Sequence, residues 1–228
     1  MKKFFISGLC FTLGMAAGAQ QLAQVNFSGA SHFSYFSFVT DRNILIRISD
    51  DGRILEFGTE EQSLRNSNYY SPNLQPYPGR VAFYGPESDS AARGKVKSIG
   101  SAEISYYGTG SMPFKMGKIR SVGSQQFDYF ADFDNKALQG KVKSMGMISI
   151  DYYSSYENEA YKGKLKLVGN SAITYYSSFD DKFIRGKIKS IGGFNFSWYT
   201  SFDIPGYGGG LKSGLMRQTV NSVMYVLQ

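Results

Sequence analysis

The chain has 228 residues and a formal charge of +7, and its 26 glycines and 16% aromatic residues favour β-strands joined by tight turns. This composition argues against a mainly helical protein. With one histidine and one cysteine, the chain is poorly supplied for catalysis by a thiol or an imidazole.

Residues 1–19 have the pattern of a secretory signal peptide. Lys2 and Lys3 precede an apolar run from Phe4 to Ala16, and three small residues follow it. We therefore expect the mature chain to begin at Gln20 and to be exported to the periplasm, cell surface or extracellular space, in a bacterium. The only cysteine leaves with the leader, and loss of its two lysines lowers the formal charge from +7 to +5. No later segment approaches the ~20 apolar residues of a membrane helix.

Residues 20–70 predict N-terminal β-hairpins that are diverged copies of the repeat described below. Residues 32–36 (HFSYF) and 53–58 (RILEFG) have the strand pattern of that repeat, and residues 50–52 (DDG) have the composition of a hairpin turn. On this basis we expect the repeated array to begin near residue 30.

Residues 71–93 predict a transition repeat that contains a break. Three prolines between Ser71 and Pro78 interrupt strand pairing, and residues 80–85 (RVAFYG) resume the strand pattern. The first hairpins are therefore expected to be set apart from the array that follows.

A regular array spans residues 94–214 and repeats every 23 residues. Its units open with GKVKSIG, GKIRSVG, GKVKSMG, GKLKLVG and GKIKSIG at Gly94, Gly117, Gly140, Gly163 and Gly186. A degenerate copy, GGLKSG, follows at Gly209. Residues 215–228 predict a C-terminal capping strand.

Each unit predicts a hairpin followed by a polar turn. The opening strand leads through a pair such as Gly192-Gly193 into a second strand with period-two alternation, for example residues 171–176 (SAITYY). Residues such as Asp180-Asp181 then mark the turn into the next unit. We therefore predict an all-β fold, in which an antiparallel meander of tandem 23-residue hairpins forms an elongated, twisted sheet.

The odd repeat length predicts a β-bulge in every unit. Side chains alternate between the two faces along a strand. Because 23 is an odd number, equivalent residues lie on the same face only if this alternation is interrupted once in every unit. The opening glycine, such as Gly186, is the natural bulge position. We expect Ile188 to share the face of Ile173, and strict alternation places Ile191 on the opposite face.

In period and architecture the array over residues 94–214 resembles single-layer β-hairpin arrays of the MORN type. The glycine- and tryptophan-rich signature of that family is absent from this sequence. The resemblance therefore implies an architecture and no binding residue or function.

Two columns of side chains created by the repeat are candidate ligand-binding surfaces. Evenly spaced cations suit an evenly charged polymer, and aromatic rings stack on sugars or bases. The basic candidates are Lys95, Lys118, Lys141, Lys164 and Lys187, beside a second column of Lys97, Arg120, Lys143, Lys166 and Lys189. The aromatic candidates are Tyr107, Phe130, Tyr153, Tyr176 and Tyr199, next to Tyr106, Tyr129, Tyr152, Tyr175 and Trp198. Both columns also fit a structural role, as a solvated face and as cross-strand packing.

No catalytic residue, metal site or cofactor is predicted. His32 lies in an aromatic strand, and the acidic residues near positions 132–135 and 180–181 occupy a fixed place in the repeat that turn chemistry explains.

The sequence predicts an exported, non-catalytic repeat protein that acts as a structural or binding module of the cell envelope. An acidic-glycan-binding module that uses the lysine and tyrosine columns is one alternative. An outer-membrane β-barrel is another, because the repeat can be divided into strands of about nine residues, although the lysine columns interrupt a continuous apolar band. The expected partners are an anionic polysaccharide or another envelope protein. Neither nucleic acid nor a membrane is predicted as a partner.

Overall fold

A computed structural model describes residues 21–40, 43–59 and 74–228 of the chain. The predicted signal peptide and residues 71–73 of the predicted break lie outside these ranges. The described residues form β-strands and no helix, which confirms the predicted all-β class. None of them belongs to a helix long and apolar enough to cross a membrane.

The strands divide into a seven-stranded sheet, an eleven-stranded sheet and a two-stranded extension. In chain order they are β1 Gln21–Ser28, β2 His32–Val39, β3 Leu45–Ile48, β4 Ile54–Thr59, β5 Gln75–Pro76, β6 Val81–Phe83, β7 Val96–Ile99, β8 Ala102–Tyr106, β9 Ile119–Val122, β10 Gln125–Tyr129, β11 Val142–Met145, β12 Ile148–Tyr152, β13 Leu165–Val168, β14 Ser171–Tyr175, β15 Ile188–Ile191, β16 Phe194–Asn195, β17 Ser197–Trp198, β18 Leu211–Ser213, β19 Arg217–Val220 and β20 Val223–Leu227.

The eleven-stranded sheet is the repeated array, and it is an open antiparallel meander. Its strands follow one another from β6 to β16 in chain order, as tandem hairpins require. Strands β17 and β18 extend it into the degenerate copy, where Trp198 pairs with Leu211 as Tyr175 pairs with Ile188 in the preceding unit. The predicted meander of hairpin repeats is therefore confirmed.

Each unit turns on two glycines with positive φ. Gly192, at +57°, opens the two-residue loop between Ile191 and Phe194, and a positive φ at the first loop position is the pattern of a type II′ turn. Gly186, at +70°, forms the predicted bulge. Its amide donates to the carbonyl of Tyr176, and the Tyr176 amide donates to the carbonyl of Lys187. Gly186 and Lys187 on one strand therefore lie opposite the single residue Tyr176, as in a β-bulge.

A second irregularity overturns the expected placement of Ile191. Tyr175 pairs with Ile188 and Thr174 with Ser190, which leaves Lys189 as an extra residue in the strand. Strict alternation is broken at that point, so Ile188 and Ile191 are both fully buried. The expectation that Ile188 shares the buried face of Ile173 is confirmed.

The seven-stranded sheet, here called the covering sheet, has the order β19-β20-β1-β2-β3-β4-β5. It contains residues 32–36 and 54–58, so the expectation that the array begins near residue 30 is wrong. The array begins at β6, within the diverged copy at residues 80–85. Similar strand composition did not distinguish the two sheets, because aromatic and branched residues suit any half-buried pleated surface.

The two sheets form the two layers of one continuous hydrophobic core. The rings of Phe38 in β2 and Phe127 in β10 lie 5.2 Å apart between centroids. The predicted turn at residues 50–52 lies against the array, where the Asp50 carbonyl accepts the Val142 amide at 2.7 Å. The array therefore has one covered face and one outer face.

The chain returns to the covering sheet at its C-terminal end. Where one capping strand was predicted, β19 and β20 form a hairpin through Asn221 and Ser222, both of which have positive φ. This is the pattern of a type I′ turn, which asparagine favours. Strand β20 then pairs in parallel with β1.

Candidate functional site

The first lysine column (Lys95, Lys118, Lys141, Lys164 and Lys187) ties successive units together. In four of the five, the ammonium donates to a glycine carbonyl of the next unit. These bonds join Lys95 to Gly117, Lys118 to Gly140, Lys141 to Gly163 and Lys164 to Gly186, the last two at 2.7 Å. Lys187 instead reaches the Gly29 carbonyl of the covering sheet at 3.2 Å. This column therefore already makes contacts within the protein.

Each ammonium of this column also lies over an aromatic ring of its own unit. The rings are those of Tyr106, Tyr129, Tyr152, Tyr175 and Trp198, at 4.6 to 5.1 Å from nitrogen to centroid. Burial lowers the pKa of Lys95, Lys118 and Lys187, and it lowers the pKa of Lys164 to about 8. Desolvation of this kind fits a role in holding units together better than one on a hydrated face.

The candidate aromatic column (Tyr107, Phe130, Tyr153, Tyr176 and Tyr199) is half-buried. Its hydroxyls cross to the next unit: the Tyr107 hydroxyl donates to the Phe127 carbonyl at 2.8 Å, and Tyr153 and Tyr176 make the equivalent bond at 3.0 Å. The Tyr153 ring also makes an edge contact with Tyr175, 5.9 Å between centroids. The column therefore contributes cross-unit packing and has lost much of its free ring surface.

The second basic column (Lys97, Arg120, Lys143, Lys166 and Lys189) is the more accessible one. All its members are exposed except Lys166, which is half-buried. The lysine ammoniums lie 5.4 to 5.8 Å from the rings of Tyr84, Phe130, Tyr153 and Tyr176. This column therefore presents accessible positive charge at a repeated position of the array.

A row of aromatic side chains at the polar turns is almost fully exposed. Phe133, Tyr156, Phe179 and Phe202 are spaced by 23 residues and are 88%, 92%, 92% and 93% exposed. They are here called the exposed aromatic row. Large apolar side chains rarely stand in water at equivalent positions without a reason, so the row is the strongest candidate for a binding surface.

The turns that carry this row are held by acidic side chains. Asp180 accepts the Ser177 amide at 2.5 Å, and Asp203 accepts the Thr200 amide at 2.8 Å. These carboxylates occupy the position immediately after the exposed ring. Their bonds fix the turn from which the ring projects, so the acidic residues act in turn formation, as the sequence predicts.

Successive turns are also bonded to each other. The Asn135 side-chain oxygen accepts the Ser155 amide at 2.8 Å, and Asn158 accepts the Ser178 amide at 2.9 Å. Because each turn is anchored to its neighbour, the rings of the exposed aromatic row are carried at a fixed interval along one edge of the array.

The exposed aromatic row can be recognised in the sequence, but a search for alternating residues within strands does not find it, because its members lie in the turns. Phe179 lies four residues beyond the end of β14, so it belongs to the turn and does not share the strand face of Ile173. Searching the polar turns for a recurrent aromatic residue at the 23-residue period finds all four members.

A separate cleft lies where the covering sheet meets the first units of the array. It has a volume of about 530 Å³ and is open to solvent. Its walls come from residues 52–57 on one side and from Gly94, Lys95, Val96, Tyr106 and Gly117 on the other. Lys95, one of the predicted site residues and a member of the first lysine column, thus borders this cleft.

No protein-family model, curated protein or solved structure matches the chain. Across residues 21–40, 43–59 and 74–228, no three His, Cys, Asp or Glu side chains are grouped as metal ligands would be. Three surfaces therefore remain as candidate binding sites: the exposed aromatic row, the second basic column and the cleft.

Proposed function

We propose that this protein is an exported, non-catalytic binding module of the cell envelope that holds a polysaccharide along the exposed aromatic row. The observation that carries the proposal is the near-complete exposure of Phe133, Tyr156, Phe179 and Phe202 at one repeated position. Aromatic rings present a large apolar face at a small cost in side-chain entropy, which suits stacking on the apolar faces of sugar rings.

The spacing of the row favours a polymer over a small ligand. Successive units advance by two strands, about 9.6 Å, so the first and last rings are roughly 29 Å apart. Only an extended chain can touch all four. Each contact after the first is intramolecular, so weak individual contacts add to a useful avidity.

The accessible charge favours an acidic polysaccharide. The second basic column repeats with the same 23-residue period as the row, and the formal charge of the expected mature chain is +5. Cations at a fixed interval attract a polyanion and raise its association rate, an effect that salt screens. The half-buried tyrosines and the first lysine column serve in this proposal as the frame beneath these surfaces.

The test is binding of polygalacturonate and of neutral dextran to the mature protein by isothermal titration calorimetry. We expect a quadruple variant in which Phe133, Tyr156, Phe179 and Phe202 become Ser to lose binding, and each single variant to lose about tenfold, since one stacked ring contributes ~1–3 kcal/mol. The matched control is Met147→Ser, which removes an exposed apolar side chain at the glycine turns on the opposite edge of the array.

A double variant, Lys143→Gln with Lys166→Gln, separates charge from stacking. It should weaken binding of polygalacturonate and leave dextran unchanged. If the quadruple variant binds both polymers as the wild type does, or if the wild type binds neither at low salt, the proposal is wrong.

A further inference from the structure

We propose that the cleft between the covering sheet and the array binds a small amphipathic anion, with the apolar part against β4 and the anionic group at Lys95. This inference concerns a different surface from the exposed aromatic row and does not rest on the proposed function.

The cleft has the size and apolar lining of a small-molecule site. Its volume of about 530 Å³ falls within the ~300–1,000 Å³ that ligand pockets occupy. Ile54, Phe57, Val96 and Tyr106 are half-buried in its walls, and Leu55 is 53% exposed. Apolar surface that remains accessible inside a concave site is what an apolar ligand group would cover.

Backbone glycine keeps the cleft open on the array side. Gly94 has a φ of +75°, and a Cβ at this position would meet nothing within 4 Å. The space next to the array backbone is therefore unoccupied by neighbouring side chains, and a ligand can approach it closely.

The ammonium of Lys95 supplies the charge. It donates to the Gly117 carbonyl and lies 5.0 Å from the Tyr106 ring centroid, which leaves N–H groups for a further acceptor. Burial alone lowers its pKa, so no neighbouring carboxylate offsets the cost of desolvation among the described residues.

Two of the equivalent lysines, Lys118 and Lys141, interact with acidic side chains of the covering sheet, whereas the described residues place no such side chain at Lys95. The Lys141 ammonium lies 3.3 Å from a carboxylate oxygen of Asp50, and Asp51 raises the pKa of Lys118 against the effect of burial. Both aspartates belong to the turn between β3 and β4. Lys95 borders the cleft instead, so an anionic ligand bound there can supply the negative charge that the aspartates supply to Lys118 and Lys141.

The other charged groups at the cleft are already paired. Glu56 accepts from Arg47 at 2.6 Å, and Arg53 pairs with Asp51 at 2.9 Å. Among the charged side chains that the structure describes in the lining, Lys95 is therefore the one without an oppositely charged partner, and its positive charge favours an anionic ligand.

Two fluorescent probes test the proposal on the mature protein: anionic 8-anilinonaphthalene-1-sulfonate and neutral N-phenyl-1-naphthylamine. We expect one site per chain for each probe, with the anionic probe bound more tightly. Lys95→Met should weaken the anionic probe about tenfold, as loss of a charge-assisted hydrogen bond predicts, and leave the neutral probe unchanged. Leu55→Glu places a like charge in the apolar wall and should abolish binding of the anionic probe.

The matched control is Lys164→Met. Lys164 occupies the same repeat position, donates to the next glycine carbonyl and lies over a tyrosine ring, and it is not part of the cleft lining. Equal loss of the anionic probe in the Lys95 and Lys164 variants, with near-ultraviolet circular dichroism unchanged, would overturn the proposal. So would binding that is indifferent to Leu55→Glu.

Discussion

The array and the covering sheet are built from similar strands, yet they specify structure in different ways. In the array, the strand order follows the chain, and positions 23 residues apart occupy equivalent places in the strand pairing. In the covering sheet, β1 lies between β2 and β20, so distant parts of the chain meet and no position repeats. In the array, the role of a residue depends on its position within the repeat. In the covering sheet, it depends on the particular residues that surround it.

The covering sheet also supplies hydrogen-bond acceptors to the array. The bulges leave backbone amides at the start of array strands, and turns of the covering sheet accept them. The Ile188 amide donates to the Ala30 carbonyl at 2.9 Å, as the Val142 amide does to Asp50. Because these acceptors come from single turns, the array depends on the covering sheet at specific units.

The largest expected effect comes from breaking the contact between the layers. Phe38→Ala removes a buried ring that packs on Phe127, and we expect it to destabilise the protein by about 3–5 kcal/mol in urea denaturation. The matched control is Phe179→Ala, which removes an exposed ring and should change stability by less than ~0.5 kcal/mol. Similar losses in the two variants would contradict the two-layer core.

A smaller effect is expected within a single unit of the array. Gly163→Ala introduces a Cβ at a φ of +72°, where space is available but the left-handed backbone costs roughly 1–2 kcal/mol. Gly193→Ala is the control, because its Cβ would meet nothing within 4 Å and its φ is not positive. We expect its unfolding midpoint to match the wild type or to rise slightly. A loss as large as that of Gly163→Ala would refute the assigned turn.

Tyr129 and Tyr152 occupy the same position in successive units but differ in hydrogen bonding. The buried Tyr129 hydroxyl donates to the Ile119 carbonyl at 2.8 Å, so Tyr129→Phe should cost about 1 kcal/mol. The Tyr152 hydroxyl is buried in the described structure without a hydrogen-bond partner. Tyr152→Phe should therefore leave the free energy of unfolding unchanged or increase it. The idea fails if thermal unfolding shows the reverse order.

The free energy of unfolding should depend on pH through Lys164. Burial lowers the pKa of Lys164 from 10.5 to about 8, so between these values the folded state holds fewer protons than the unfolded state. The stability of the wild type relative to Lys164→Met should therefore rise as pH increases from about 8 towards 10.5. Urea midpoints of the two proteins across this range measure it, and parallel curves would rule out a desolvated ammonium.

Local signals in the sequence predict the units well and their assembly less well. The period, the turn at Gly192-Gly193 and the bulge at Gly186 are confirmed, because each depends on backbone preferences within a few residues. The burial of Ile191 was not predicted, since the second irregularity at Lys189 depends on pairing with a neighbouring strand. The covering layer was not predicted either, because contacts between sheets leave no period in the sequence.

The parallel pairing of β1 with β20 has a consequence for the order in which the chain can fold. One side of β1 obtains its partner only after residues 223–227 have been synthesised, whereas the hairpins of the array can form from local contacts. A nascent chain that ends before β20 therefore has a β1 edge with unpaired amides and carbonyls, which is a template for aggregation. We expect completion of the covering sheet to be the late step that commits the whole chain to its native state.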